Sequence, residues 1–409
     1  MKSYKNNLAI LAGNALDHYD THIYVLLTPF IAQSIFPNES SIMGLIKANG
    51  IGLVGIFTRP LGAILFGKLA SIIGPLNALR YSLIGIALST FTIGILPNYD
   101  QIGILAPILL LILRTAQGIF ASGEGAIAGF YLISANKNRR SFFSSLYGLS
   151  TLLGMLLATG AAYIISLSDK PELYWRWGFI LGFFTSIVAY YIRQNNEEPA
   201  KIQKPENNNI ITSIKQHYNI ILRIFILCGF SYLTYPMAFT IPNTLWPAVN
   251  ITPISQSLKI YSYLVIFDGI VIIAAGYYLK FVKIEKFMPF CVIMLMILES
   301  SMFMLMNSAS FIEINILRLL IIAFGVSFSI ALKIWVVKII DRYEHEKYLI
   351  NSIGGAFGIE ILGRPFLPYC LYIFHHYGNF HLCIVYTVLI GLAAIFALSY
   401  ADDNTTKNI

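Results

Sequence analysis

Residues 8–36 read LAILAGNALDHYDTHIYVLLTPFIAQSIF, a run of bilayer-crossing length that nevertheless holds two carboxylates, Asp17 and Asp20. About 20 predominantly apolar residues suffice for a membrane-crossing helix. Backbone polar groups in lipid must be satisfied within their own segment, so the run is predicted to be helical. Gly13, Asp17, Asp20, Tyr24 and Thr28 are separated by steps of 4, 3, 4 and 4 and share one face of that helix. A polar stripe on an otherwise apolar helix must face a wet cavity or a bundle interior, and His18 and Tyr19 stand beside it. The run is too long for a signal-peptide core and lacks a small-residue cleavage site, so it is expected to remain in the mature protein.

The rest of the chain repeats this reading. Of its 409 residues 57% are hydrophobic and 12% charged, against about 25% charged for an ordinary soluble domain. A soluble fold cannot hide so much apolar surface. Twelve apolar runs are predicted as helices: 8–36, 42–70, 77–96, 102–134, 142–167 and 175–193, then 218–241, 258–280, 287–306, 314–338, 348–374 and 380–400. Alternating ten-residue strands are absent, which argues against a β-barrel. The net charge of +8 suggests a nucleic-acid partner only until the charges are placed. With the N-terminus in the cytoplasm, eighteen lysines and arginines fall on inner segments against four outside, Lys47, Lys170, Arg176 and Lys259. This bias puts both termini in the cytoplasm. The expected location is the cytoplasmic (inner) membrane, multi-pass, with the lipid bilayer as partner and no nucleic acid.

Polar residues crowd 194–217, including Glu197, Glu198, Pro199, Pro205 and Asn207–Asn209. The stretch divides the chain into a six-helix half (1–194), a solvated linker (195–217) and a second six-helix half (218–409). Two such halves are expected of a secondary transporter that binds its solute near the midplane. The expected fold class is thus an all-α membrane protein of twelve transmembrane helices in two six-helix halves.

Ionisable residues inside the spans mark candidate sites. Besides Asp17, Asp20 and Tyr24 these are Arg59 in the second run, Arg114, Gln117 and Glu124 in the fourth, Asp268 in the eighth, and Glu360 with Arg364 in the eleventh. Arg114, Gln117, Ala121 and Glu124 share a face. Ten residues separate Arg114 from Glu124, about 15 Å along a helix, so each is expected to need a partner on another helix or a ligand. Glu360 precedes Arg364 by four, the favourable order for an intrahelical ion pair. Pro60 and Pro365, each following an arginine, are expected to break or bend their helices. Glu299 lies among methionines and resists assignment, and His375 and His376 are expected in a solvated loop. Cys228, Cys291, Cys370 and Cys383 all lie in apolar runs without metal-ligand spacing, so neither a disulfide framework nor a zinc site is expected. No nucleophile-and-base set and no phosphate-binding glycine loop stands out. The chain is therefore expected to be no enzyme and to need no cofactor or metal.

Gly13-Asn14-Ala15-Leu16-Asp17-His18-Tyr19-Asp20 resembles the G-N-x-x-E-W-Y-D opening of the metabolite:proton symporters, the proline/betaine-transporter-like branch of the major facilitator superfamily. Arg59-Pro60-Leu61-Gly62-Ala63 with Phe66-Gly67 resembles that family's R-P-L-G-A…F-G. Ala106-Pro107, Leu113-Arg114, Gln117-Gly118 and Gly123-Glu124 resemble its A-P…L-R-x-x-Q-G…G-G-E, and Asn351, Gly354 and Gly355 its N…G-G. The likeness is dense over residues 13–160 and thin beyond. It implies alternating access and proton-driven uptake of a small organic solute, the family's substrates including proline, glycine betaine, dicarboxylates, citrate and shikimate. It also implies that Asp17 and Asp20 hold the family's acidic positions and Arg114 and Glu124 its fourth-helix charges. The family's loop after the second helix, G-x-x-x-D-R-x-G-R-[KR], is altered here: Ser71, Ile72 and Pro75 replace its Asp and two Arg. The matching loop after the eighth helix keeps Lys280 and Lys283 but no Asp-Arg. The expected function is proton-coupled symport of a small organic carboxylate or zwitterion by a monomer, its partners being a small-molecule solute and protons. A uniporter or exchanger, or a non-transporting sensor derived from a transporter, are the alternatives.

Overall fold

Helical rods make up almost all of the described chain. The structure, a computed structural model, describes residues 2–194, 210–242, 254–306, 308, 310–343 and 346–399. Among them are sixteen α-helices and no strand. In chain order they are α1 (Lys2–Ile35), α2 (Ser41–Leu53), α3 (Gly55–Ile73), α4 (Pro75–Gly94), α5 (Tyr99–Ile102), α6 (Leu105–Gly123), α7 (Gly129–Ala135), α8 (Arg140–Ser166), α9 (Pro171–Gln194) and α10 (Ile210–Tyr235). Then follow α11 (Ile254–Tyr278), α12 (Ile284–Leu305), α13 (Phe311–Ile340), α14 (Lys347–Phe357), α15 (Phe366–Tyr377) and α16 (His381–Ser399). Eight helical runs are by themselves long and apolar enough to cross a membrane. α1 carries Asp17 and Asp20 within its span and is not one of them.

Boundaries depart from the sequence reading where backbone chemistry intervenes. The second rod does not break at Pro60, which lies inside α3, but at Val54, between α2 and α3. Pro60 removes one donor and its ring crowds the carbonyl four residues back. The chain answers by tightening the turn before it, where Val54 bonds back to the Ile51 carbonyl and Phe57 to that of Val54. Pro365 does end a helical segment, as the residue preceding α15. The expected loop at 71–76 is condensed to one residue, Gly74, whose φ of 95° joins α3 directly to α4. That backbone conformation favours glycine. Of the expected linker, 195–209 lies outside the described residues. Residues 210–217 begin α10, which kinks at His217 where the apolar span starts.

The chain packs as two compact units. Unit one takes in the described residues up to 132, with those of 149–210 and 343–352. Its core is built from α1, α2, α4, α6, α8 and α9 around Tyr19, Ile23, Tyr24, Leu27, Trp175 and Phe179, with Trp175 and Phe179 edge to face at 5.6 Å. α8 meets α1 at Gly154, where a Cβ would stand 2.0 Å from the Ala15 carbonyl oxygen. Gly154→Ala is therefore expected to cost about 1–3 kcal/mol through overpacking. Gly160→Ala on the same helix, with nothing within 4 Å, is expected to leave the protein as stable or slightly more so. Thermal unfolding of the two variants in detergent would reverse this assignment if they shifted alike. Unit two comprises the described residues of 133–148, 211–342 and 353–399. Here α12 packs on α13 and α16, and α11 on α13. Asp341, just beyond α13, pairs with Lys137 at 3.6 Å and Arg140 at 3.5 Å. Gly358 approaches α10 closely enough that a Cβ would meet the Phe225 carbonyl oxygen at 2.2 Å.

Three rods contain a π-helical turn: Glu124–Ala128 between α6 and α7, Pro236–Thr240 after α10, and Gly358–Gly363 between α14 and α15. Such a turn displaces carbonyls from their usual i+4 donors. In each, a side chain from another helix takes one of them. Asn351 Nδ2 donates to the Ala126 carbonyl at 2.7 Å, Arg318 Nε to that of Ala238 at 2.7 Å, and Tyr386 Oη to that of Leu362 at 2.6 Å.

Candidate functional site

Four side chains from three helices of unit one form a single hydrogen-bonded chain. Arg114 Nη1 on α6 donates to Gln117 Oε1, three residues on. Gln117 Nε2 donates to Thr90 Oγ1 on α4 at 2.8 Å, and Thr90 Oγ1 donates to Asp20 Oδ2 on α1 at 2.9 Å. A guanidinium has donors only, so Gln117 must turn its oxygen to Arg114 and its amide to Thr90. Every donor then points from the cation toward the carboxylate. Asp20, Thr90 and Gln117 are buried, at 2%, 0% and 4% exposure, whereas Arg114 is half-buried. Its Cζ sits 4.0 Å from the centroid of the Tyr24 ring, and Tyr24 is itself fixed by donating to the Ala48 carbonyl at 2.7 Å. A cation–π contact of a half-buried guanidinium contributes about 1 kcal/mol.

The surroundings of Asp20 are close and polar on one side only. Oδ1 faces α9 at Gly182, where a Cβ would come within 2.5 Å, and it takes no hydrogen bond among the described residues. Asp17, one turn earlier and buried, and Arg114 are the charged groups within electrostatic range of Asp20. Tyr19 donates to the Gly178 carbonyl at 2.7 Å. Arg59 on α3, half-buried, donates to Thr21 Oγ1 at 3.0 Å. Glu124 opens the first π-helical turn and is fully buried.

In unit two Asp268 on α11 is fully buried. Its Oδ2 accepts from Tyr235 Oη, at the end of α10, at 2.8 Å, and its Oδ1 takes no hydrogen bond among the described residues. Glu360 and Arg364 form the ion pair their spacing predicts, Nε to Oε2 at 2.8 Å. Glu299 on α12 is fully buried and neither oxygen has a hydrogen-bond partner among the described residues. Keeping a carboxylate charged in such a place costs several kcal/mol.

The structure thus joins Asp20, Tyr24, Arg114 and Gln117, with Asp17 and Arg59 beside the same stretch of α1. Arg114 finds a partner on another helix in the Tyr24 ring of α1, and adds a hydrogen bond to its own i+3 neighbour Gln117. Thr90, Tyr235 and Arg318 are the polar residues that sequence reasoning left out.

Helical rods of bilayer length with ionisable side chains buried between them define a multi-pass membrane protein. The model of the Major Facilitator Superfamily matches residues 10–240, and the chain belongs to that family. It is 34% identical over 262 residues to the Staphylococcus haemolyticus (strain JCSC1435) protein named "Putative proline/betaine transporter", covering 61% of this chain and 56% of that one. It is 32% identical over 234 residues to the "Shikimate transporter" of Escherichia coli (strain K12), covering 54% and 53%. The chain spans little more than half the length of these curated relatives. Among solved structures it is similar to the proton:xylose symporter XylE bound to 6-bromo-6-deoxy-D-glucose, with a TM-score of 0.76 at 13% identity over 98% of this chain and 95% of that one. It is also similar to a variant of the E. coli fucose:proton symporter FucP, with a TM-score of 0.75 at 12% identity over 99% and 100%. Likeness at such identity speaks for the fold alone. The family and the named relatives are transporters, and the chain is not an enzyme.

Proposed function

We propose that the chain is a secondary active transporter that moves a small organic carboxylate or zwitterion together with a proton, by alternating access. The observation that supports this most is the directed chain from Arg114 to Asp20. In this reading Asp20 is the proton site, with Asp17 and Glu124 as further acids. Arg114, seated on Tyr24, receives the carboxylate of the solute, for which a guanidinium offers a bidentate fork. Proline, betaine and shikimate, named for the relatives, each carry that group. Arg59 is a second cation beside α1, Asp268 with Tyr235 is the acid of the second half, and the Glu360–Arg364 pair is structural. The two halves are 1–194 and 218–409, joined by 195–217, with both termini in the cytoplasm of a cell whose inner membrane holds the protein as a monomer.

The altered loop after α3, with Ser71, Ile72 and Pro75, favours a second reading in which transport runs without proton coupling. Proteoliposomes separate the two. With an inward proton gradient, uptake of L-proline, glycine betaine or shikimate is expected to exceed the gradient-free rate by about tenfold or more, and a protonophore is expected to abolish the excess. Uptake indifferent to the gradient would leave a uniporter or exchanger. Saturable binding without uptake of any of the three would leave a sensor.

A further inference from the structure

We infer that Lys333 is an anion-binding residue of unit two, placed to receive a carboxylate and to favour a net-anionic solute over a zwitterion. Lys333 binds an anion whether or not the chain is a carrier; that the anion is the solute rests on the carrier reading given above.

Lys333 stands inside the apolar span of α13. Seven residues separate it from the end of that helix at Ile340, about 10 Å. A helical side chain leaves its Cα toward the N-terminus, here away from that end. Lys333 is therefore not one of the lysines that reach water around a nearby helix end. Its Nζ lies 5.2 Å from the centroid of the Tyr147 ring on α8. Cys228 on α10 is the titratable group within its electrostatic range. Among the described residues no carboxylate pairs with it and no acceptor bonds to it. An ammonium is a compact, strongly hydrated charge, and inside a span it is costly unless water or an anion completes its shell.

The pattern of exposure shows where that shell is open. Residues 330–332 and 334–337 are all buried, and Lys333 between them is half-buried. A face turned to lipid would also expose Ile330, Val336 and Val337, the neighbours three and four residues away. All three are buried, so the opening at Lys333 is local and enclosed by protein. Tyr147 walls it from α8 and Cys228, itself half-buried, borders it from α10. Beyond Cys228 there is room as well: a Cβ on Gly355 of α14 would meet only its Sγ, at 4.0 Å, among the described residues. A carboxylate entering here meets one uncompensated positive charge. The cationic group of a small zwitterion would be held near the same charge and repelled by it. Shikimate and succinate carry carboxylates and no cation, whereas proline and glycine betaine carry both charges.

Cys228 supplies a native reporter, because Cys291, Cys370 and Cys383 are buried. The full chain in liposomes is treated with two methanethiosulfonates, one bearing a sulfonate and one a trimethylammonium group. Labelling is expected in the wild type and is expected to vanish in Cys228→Ser. The ratio of the sulfonate rate to the trimethylammonium rate cancels the reactivity of the thiol itself. It is expected to fall by about tenfold or more in Lys333→Gln and to stay near the wild-type value in Lys333→Arg. Shikimate and succinate are expected to slow labelling of the wild type but not of Lys333→Gln, and proline and glycine betaine to leave it unchanged. A ratio equal in wild type and Lys333→Gln, or a Cys228 that neither reagent reaches, would overturn the anion site. Protection by glycine betaine equal to that by shikimate, or none by either anion, would overturn the assignment to the solute. A ratio that responds to Lys333 in a chain that takes up no solute would uphold the anion site and remove the carrier reading.

Discussion

Arg114→Ala is expected to weaken binding of the transported carboxylate by about 100-fold or more. A charge-assisted hydrogen bond contributes about 1.5–3 kcal/mol, and a guanidinium makes two in parallel to a carboxylate. Each 1.4 kcal/mol is about tenfold in affinity, so loss of the fork exceeds two decades even if water recovers part of it. Arg114→Lys keeps the charge but gives up both the fork and the planar seat on Tyr24, 4.0 Å away, and is expected to fall between, with about a tenfold loss. Neither variant should unfold the protein, because Arg114 is half-buried and its removal leaves Gln117 able to keep its bond to Thr90. Isothermal titration or equilibrium binding of the solute identified by the uptake screen measures the effect. A variant that binds as tightly as the wild type would remove Arg114 from the solute site.

The stripe on α1 was legible because charge and period coincide there: Asp17, Asp20, Tyr24 and Thr28 recur at helical spacing in an apolar run, and all four are buried. The rods were legible for the same reason that membrane topology is, namely that lipid leaves the backbone one solution. Thr90 was not. Its neighbours Ser89 and Thr92 do what hydroxyls in helices ordinarily do and bond back to their own helix, at the Gly85 and Leu88 carbonyls. Thr90 differs only in the face it occupies, toward Asp20 and Gln117, and no local pattern distinguishes it. Two of the three π-helical turns begin at Glu124 and Gly358, which read as continuous helix, and their clasping partners Asn351 and Tyr386 stand on other helices. No local pattern marks Arg318 either; its role at the Ala238 carbonyl exists only once α10 and α13 are packed.

Asp20→Asn is expected to abolish accumulation while sparing exchange. With one proton per solute, an imposed gradient of about two pH units can hold an accumulation of about 100-fold, each unit being worth about 1.36 kcal/mol. Asparagine cannot take up a proton, so the variant should bring the solute only to equal concentrations on both sides, a loss of the full factor. An uncharged side chain at this position stands in for the protonated acid, so solute should bind at neutral pH about as well as it binds to the acidified wild type, with no further gain on acidification. The sign follows from the linkage: wild-type affinity should rise as pH falls through the titration of Asp20, because protonation removes a negative charge that competes with the solute carboxylate for the field of Arg114. Counterflow of labelled against unlabelled solute in proteoliposomes, run without a gradient from pH 5 to pH 8, distinguishes this from damage. A variant that still accumulates solute under the gradient would place the proton elsewhere, on Asp17, Glu124 or Asp268. One that loses counterflow as well would make Asp20 a residue needed for movement or binding rather than for coupling.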